Sequence, residues 1–165
     1  MSPFLSWALL MVALVHIVEE FLWPGGFLDW YRRYQPSIAS SLTRGFAVVI
    51  NVALLLACIV VGLLGSTPRG IALWLTLAAL LLSNMGFHLV ASLSSRTYSP
   101  GLMTALVLYG PLCVYGYARF LRNGNASVGT ACAAFVVGSS YPLWSYWNHW
   151  RRSKKTAHNV PVKRA

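Results

Sequence analysis

Residues 3–23, PFLSWALLMVALVHIVEEFLW, decide the fold. The stretch is long enough to cross a hydrocarbon core about 30 Å thick, which takes about 20 apolar residues in a helix. Three of its side chains are ones that lipid excludes, namely His16, Glu19 and Glu20. The stretch carries neither the basic segment nor the small-residue cleavage site of a secretory signal peptide, so we expect a transmembrane helix over roughly Phe4–Trp23.

Four further apolar runs of similar length follow, each bounded by charge, Gly or Pro. They cover roughly residues 45–64, 71–95, 102–121 and 129–150. With the first run they predict an all-α fold, an integral membrane bundle of five transmembrane helices over residues 1–150, followed by a basic cytoplasmic tail over residues 151–165. Pro111 and Pro142 fall inside the fourth and fifth runs, where we expect them to kink the helices.

The composition is typical of a membrane protein, because 57% of the residues are hydrophobic, 10% are charged and the mean hydropathy is +0.60. It excludes a secreted mini-protein, a disordered tail and a soluble enzyme. The net charge of +10 does not indicate a nucleic-acid partner, since six of the 13 basic residues lie in the last fifteen. The rest of the chain has too few polar residues to follow a phosphate backbone.

The distribution of Lys and Arg predicts the orientation of the five spans. With the N-terminus outside and the C-terminus inside, ten of the 13 basic residues face the cytoplasm, where they lie near anionic headgroups. The first cytoplasmic connection, from Phe27 to Thr43, is expected to contain a short interfacial helix. Its apolar and aromatic residues are Trp30, Tyr31, Tyr34 and Ile38.

Two of the three acidic residues of the chain lie inside the first span, as Glu19 and Glu20. A carboxylate in hydrocarbon costs on the order of 2.5 kcal/mol or more, so such a pair is expected to face a protected interior. His16, Glu19 and Glu20 stand at positions i, i+3 and i+4, which share one face of a helix. The alternative is that both carboxylates lie near the helix end and extend to the headgroups.

The third span carries a second polar stripe, formed by Asn84, His88 and Ser92 at positions i, i+4 and i+8. Such a stripe is either a hydrogen-bonded seam between helices or part of a ligand set. At 1.5 Å per residue, His16 and His88 both lie about 10 Å from the cytoplasmic helix ends. We therefore expect a pocket in the cytoplasmic half of the bundle. Its residues are His16, Glu19, Glu20, Asn84 and His88, joined by Asn51, Tyr98 and Tyr141, while His149 on the fifth span has no assigned role.

Three short motifs in the first hundred residues resemble those of the bacterial membrane proteins named for their HXXEE motif. They are H-x-x-E-E at residues 16–20, N-x-x-x-H at residues 84–88 and Y-S-P-G at residues 98–101. The resemblance implies a small multi-spanning protein of the bacterial inner (plasma) membrane, suspected of being an enzyme but without an established reaction or substrate.

The leading functional hypothesis is a metal-dependent enzyme that acts on a lipophilic substrate. His16, Glu19 and His88 would bind one divalent ion, Fe, Mn or Zn, as a two-histidine, one-carboxylate set with open positions. Glu20 would be a further ligand or the general base, Asn84 would orient a ligand, and Tyr98 would face the pocket or the headgroups. The expected catalytic residues are Glu20, Tyr98 and Asn84.

Two alternatives stay open at this point. The first is a metal-free acid/base isomerase, cyclase or hydrolase of a lipid or isoprenoid, since two adjacent carboxyl groups in a low dielectric cannot both ionise easily. The second is a membrane protein without catalytic activity that binds or conducts an ion or binds a lipid. Either can form a homo-oligomer. The sequence does not choose among these functions.

Overall fold

The structure is a computed structural model that describes residues 2–158 and is helical throughout, with no strand among those residues. Residues 159–165, which include Lys163 and Arg164 of the expected basic tail, lie outside the described part of the chain. Two π-helical segments, Val18–Leu22 and Ala105–Tyr109, continue or join helices. The helices are α1 (Pro3–Ile17), α2 (Phe27–Tyr34), α3 (Arg44–Leu64), α4 (Pro68–Ser95), α5 (Leu102–Thr104), α6 (Gly110–Arg122), α7 (Val128–Ser139) and α8 (Tyr141–His158).

Three helical segments among the described residues are long and apolar enough to cross a membrane: Pro3–Leu22, Arg44–Leu64 and Pro68–Ser95. They coincide with the first three apolar runs of the sequence. The fourth run forms the continuous helical segment Leu102–Arg122, built from α5, a π-helical segment and α6. The all-α class is confirmed, and the expected number of five spans and their orientation stay predictions.

The fifth apolar run is two helices and not the single helix that its length predicts. α7 ends at Ser139 and α8 begins at Tyr141, so Pro142 occupies the second position of a new helix. Proline is favoured there because the first turn of a helix has no partner for the missing N–H. Pro111 likewise stands second in α6, directly after the π-helical segment Ala105–Tyr109. α8 also continues past Trp150, where the expected membrane domain ends, to His158.

Helix α4 lies at the centre of the bundle and packs against α1, α3, α6, α7 and α8. Its Trp74 is fully buried and donates a hydrogen bond from Nε1 to the Leu5 carbonyl of α1 at 2.9 Å. On α7, Gly138 lets the backbones approach closely, since a Cβ there would lie 2.2 Å from the Thr76 carbonyl oxygen. Small residues commonly permit such close contact between membrane helices.

The connection between α1 and α3 contains the expected short helix, α2, and a 3₁₀ turn at Ala39–Ser41. The aromatic face of α2 is buried against α4: Phe27, Trp30 and Tyr31 pack with Phe87 and Ala91. Trp30 also donates a hydrogen bond from Nε1 to Thr97 Oγ1 at 3.1 Å. α2 therefore covers the end of the bundle that carries the polar residues of α1 and α4.

A candidate metal centre between the first and fourth helices

The H-x-x-E-E segment lies where α1 passes into π-helical geometry. His16 stands in the last turn of α1, and Glu19 and Glu20 stand in the π-helical segment Val18–Leu22. Their side chains are inside the protein, with 3% of His16, 7% of Glu19 and 8% of Glu20 exposed. π-Helical turns are rare and occur frequently at functional sites. The structure thus places both carboxylates among protein groups and not at an exposed helix end.

Three side chains of this region form what we call the His/Glu cluster: His16, Glu20 and His88. The Nε2 atom of His16 lies 3.8 Å from Oε2 of Glu20, and Nε2 of His88 lies 3.8 Å from Oε1 of the same carboxylate. The two imidazole rings meet edge to face with centroids 5.1 Å apart. One nitrogen or oxygen atom from each residue can be chosen so that all three lie within 4.8 Å of one another. This is the geometry of a potential three-ligand metal site.

Hydrogen bonds orient His16 with Nε2 toward the cluster. Its Nδ1 lies 2.9 Å from Thr104 Oγ1, and the Thr104 hydroxyl donates to the Gly101 carbonyl at 3.3 Å. On the other side of the ring, the Asn84 amide donates from Nδ2 to His16 Nε2 at 3.2 Å. These contacts fit the tautomer in which Nδ1 carries the proton and Nε2 accepts from Asn84, so a metal ion at Nε2 would require the Asn84 amide to move aside.

His88 is held in the same way. Its Nδ1 lies 2.8 Å from Ser99 Oγ, and the backbone N–H of Ser99 donates to Ser92 Oγ at 2.9 Å. His88 is fully buried, and its Nε2 has no hydrogen-bond partner among the described residues. Buried polar atoms normally find a partner, so an orphaned nitrogen that faces a carboxylate at 3.8 Å points to a ligand between them.

Glu19 has a different environment from Glu20, although the two are neighbours in the chain. Its Oε1 accepts hydrogen bonds from the Tyr98 hydroxyl and from the N–H groups of Gly101, at 3.2 Å, and Met103, at 3.1 Å. Its Oε2 accepts from the N–H of Thr104 at 2.7 Å. These donors belong to the start of α5, where helix N–H groups lack internal partners. Glu19 therefore anchors the Tyr98–Thr104 segment, and it is Glu20 that the structure brings beside both imidazoles.

Tyr98 lies at the edge of this arrangement and contacts Glu19, not the His/Glu cluster. Burial, the hydrogen bond to Glu19 and the Glu19 charge together raise the pKa of Tyr98 to about 12. The phenol therefore stays protonated near neutral pH and can keep donating to the carboxylate. Its expected role as a catalytic group stays a prediction, and the contact in the structure is a positioning one.

Gly101 closes one side of the His/Glu cluster. Its φ of +99° lies in the left-handed region, and a Cβ at this position would lie 2.7 Å from His16 Cε1 and 2.9 Å from His88 Cε1. Only glycine combines that backbone conformation with such close approach to two rings. The Y-S-P-G motif thus provides Tyr98 for Glu19, Ser99 for His88 and Gly101 for the space between both histidines.

Sequence reasoning missed two residues of this site, Thr104 and Tyr109. Tyr109 is fully buried, its ring centroid lies 4.7 Å from that of His16, and its hydroxyl has no hydrogen-bond partner among the described residues. Both residues stand in the fourth apolar run, where a single hydroxyl gives no periodic signal. Thr104 directly precedes the π-helical segment Ala105–Tyr109, and Tyr109 is the last residue of that segment.

Two expected pocket residues, Asn51 and Tyr141, lie outside the His/Glu cluster, and so does His149, which had no assigned role. Asn51 donates to the Ala47 carbonyl at 2.9 Å and lines a cleft beside α3. Tyr141 packs on Trp144, with ring centroids 6.0 Å apart. His149 hydrogen-bonds to Ser41 and contacts the Phe46 ring at 5.2 Å between centroids. The polar residues of α8 therefore form a separate contact with the turn that precedes α3.

The fold and the site define a helical protein with three segments suited to membrane crossing and a buried cluster of two histidines and a glutamate. The chain belongs to the family described as "protein of unknown function with HXXEE motif", whose model matches residues 7–116. It is similar to the uncharacterized protein YrkK of Bacillus subtilis (strain 168), with 27% identity over 128 residues, which is 75% of this chain and 80% of that protein. No solved structure matches the chain.

Proposed function

We propose that the His/Glu cluster binds one divalent metal ion, Fe, Mn or Zn, and that the protein is a membrane-embedded enzyme acting on a lipophilic substrate. The ligands in this proposal are His16, Glu20 and His88. The observation that carries it is the orphaned His88 Nε2, buried and aimed at Glu20 with the second imidazole beside it. Two imidazoles and a carboxylate suit these metals and leave coordination positions open for substrate.

The distances within the cluster support a metal more than direct proton exchange. Two atoms that each lie about 2.1 Å from a zinc ion are about 3.4 Å apart in tetrahedral geometry. The Glu20 carboxylate is 3.8 Å from each histidine nitrogen, so small side-chain rotations suffice to close the site. Direct proton transfer takes place over hydrogen bonds of about 2.6–3.2 Å, so an acid/base site also needs these two pairs to close by about 0.6 Å or more.

The protein groups around the ligands have separate tasks in this proposal. Thr104 and Ser99 hold the Nδ1 atoms of the two histidines, which fixes the rings and raises their basicity as ligands. Asn84 can donate from its amide to a ligand atom, and the unpartnered Tyr109 hydroxyl is available to a bound molecule. A bound metal supplies a Lewis acid that polarises an oxygen of the substrate or lowers the pKa of water.

A lipophilic substrate is supported by the surfaces that surround the cluster. The helices that carry it expose large apolar side chains such as Val15, Leu22 and Leu89. Such surfaces suit lipid contact, and a molecule dissolved in the bilayer reaches the site without passing through water. A metal-free acid/base enzyme stays the second candidate, because Glu20 lies between two imidazoles and faces no Lys or Arg in the contacts of the cluster.

The test of the metal proposal is metal content by plasma mass spectrometry on detergent-purified protein without a His-tag or chelators. Wild-type protein, supplied with iron, manganese and zinc in turn, should hold about one ion per chain, and His16→Ala and His88→Ala should hold almost none. His149→Ala is the matched control, because it removes a buried histidine outside the cluster. A folded wild-type protein that binds none of the three metals, or a full ion in both cluster variants, would contradict the proposal.

Enzymatic action is tested by comparing the lipids of cells that express wild-type protein or Glu20→Gln at equal levels. Substrate loss and a new lipophilic product should appear with the wild type alone. Identical lipid profiles in the two strains, with metal bound in the wild type, would contradict the enzymatic proposal. The protein would then be one that binds an ion without catalysis.

A further inference from the structure

A cleft of about 560 Å³ lies beside the His/Glu cluster, between the π-helical end of α1, the helix α2 and the first half of α3. It is lined mostly by apolar side chains, and the residues along α3 extend from Arg44 to Leu55. The rise along α3 from Arg44 to Leu55 is about 16 Å, so the cleft is elongated along this helix. This size and lining are typical of a site for a small lipophilic molecule.

Three charged side chains line the cleft, Arg44, Arg32 and Asp29. Arg44 is the first residue of α3, is exposed, and makes no ion pair with the described residues. Arg32 of α2 is also exposed and pairs with Asp29 at 2.7 Å, so two cations and one carboxylate leave the lining with a net positive charge. Asn51 is the uncharged polar residue that α3 adds to the lining. The cleft therefore combines a net positive charge that attracts anions with a mostly apolar wall.

The cleft and the His/Glu cluster share a wall. Ile17 and Phe21 line the cleft and directly follow His16 and Glu20 in the chain. Phe27, which also lines the cleft, has its ring centroid 5.8 Å from that of His88 and 5.8 Å from that of Phe21. The Phe27 ring thus lies next to both the cleft and His88 of the cluster.

We propose that this cleft binds an anionic single-chain lipid of the bilayer, with its phosphate group at Arg44 and Arg32 and its hydrocarbon chain along α3 against Phe27. The two arginines of the lining select the headgroup, because a guanidinium makes charge-assisted hydrogen bonds to phosphate. The apolar Leu22 and Val48 are exposed at the border of the cleft, which lets the chain enter sideways from lipid. The further statement that this lipid is the substrate rests on the proposed function.

The probes are two lipids with the same acyl chain, lysophosphatidylglycerol, which is anionic, and lysophosphatidylcholine, which is zwitterionic. Native mass spectrometry of the detergent-purified full chain measures their binding. The wild type should bind the anionic lipid about tenfold or more tightly than the zwitterionic one, and Arg44→Gln should lose that preference. Arg69→Gln, which removes an exposed arginine at the start of α4, should keep it.

A second pair of variants tests where the chain lies. Val52→Trp fills the cleft and should lower binding of both lipids, whereas Val49→Trp changes an exposed residue of α3 that does not line the cleft and should bind as the wild type does. Equal affinity of the wild type for the two lipids, or unchanged binding by Val52→Trp, would overturn the lipid site.

Metal content measured on the same preparations separates this inference from the proposed function. Metal bound at full stoichiometry without lipid preference would overturn the lipid site and leave the metal proposal standing. Lipid bound with the expected preference to a protein that takes up no metal would support the cleft as a lipid site and overturn the assignment of that lipid as the substrate of a metal enzyme.

Discussion

Glu19 and Glu20 are adjacent and chemically identical, yet their surroundings assign them different tasks. Neighbouring residues of a helix point in directions about 100° apart, so the two carboxylates cannot both face the same partners. Glu19 meets backbone N–H groups at the start of α5, and Glu20 meets two imidazoles. The H-x-x-E-E segment thus supplies one carboxylate to hold the fold and one to serve the cluster.

We predict that Glu19→Gln lowers stability. The amide keeps one oxygen but turns an N–H₂ group toward backbone donors, and hydrogen bonds to a charged acceptor contribute about 1.5–3 kcal/mol each. The expected loss in the free energy of unfolding is about 2 kcal/mol or more. Thermal unfolding in detergent measures it, with Glu20→Gln as the matched variant. A larger loss in Glu20→Gln than in Glu19→Gln would contradict the assigned roles.

At the scale of structural elements, the turn between α4 and α5 completes the site by placing Gly101 against both imidazoles. A substitution of Gly101 tests this packing. Gly101→Ala places a methyl group against both imidazoles and should displace them, so that metal affinity falls by 10-fold or more. Gly124→Ala is the control, because Gly124 also has a positive φ, +63°, but a Cβ there meets nothing within 4 Å. The two variants share backbone strain, and isothermal titration with the metal should show that only the first loses affinity. Equal affinities in both would contradict the proposed packing.

The close contact between α4 and α7 can also be tested by adding a single methyl group, in the substitution Gly138→Ala. Gly138→Ala should destabilise the protein by about 1–3 kcal/mol, because the new Cβ overlaps the Thr76 carbonyl. Gly129→Ala, near the start of the same helix, meets only Ser127 Oγ at 3.8 Å and should be neutral or slightly stabilising. Melting temperatures in detergent measure the difference, and equal values would show that α7 does not pack on α4 in this way.

The sequence predicts a helix well where a single property of the segment, such as its apolar length, is enough to identify it. The first three spans follow from apolar length, and α2 follows from its aromatic residues between two spans. The fifth run misleads because length alone does not reveal the break at Ser140, which depends on the preference of Pro142 for a helix start. The π-helical segments are not predictable from a 3.6-residue period, and they change which side chains meet.

The same reasoning explains how much of the site is predictable. Helical spacing joins His16 to Glu20, and similar depth joins both to His88, so the cluster follows from the sequence. Depth also suggested Asn51 and Tyr141, but residues at one level of a bundle can lie on different sides of it. Glu20, and not Glu19, faces the imidazoles because Glu19 binds N–H groups of a turn more than eighty residues further along the chain. The sequence carries no signal for this long-range contact, nor for the position of Tyr109 beside His16.

At the scale of the whole molecule, we predict that the N-terminus lies outside and the C-terminus inside. Fusions to reporter proteins test this orientation. α7 and α8 together cover the fifth run, and α8 pairs Arg151 with Trp147 and Lys154 with Trp150, as expected near an interface. Alkaline phosphatase fused after Ser66 should be active, whereas the enzyme fused to the C-terminus should be inactive and green fluorescent protein there should fluoresce. An active phosphatase at the C-terminus would contradict the orientation.

The central claim is a metal site that uses Glu20 and not Glu19, and the most direct measurement compares two substitutions at adjacent positions. Metal content is determined for wild type, Glu19→Gln and Glu20→Gln after equilibration with an excess of the metal that the wild type retains. If Glu20 is the ligand, we expect about one ion per chain in the wild type and in folded Glu19→Gln, and almost none in Glu20→Gln. Retention of the ion by Glu20→Gln together with its loss from Glu19→Gln, or no ion in folded wild-type protein, would contradict it.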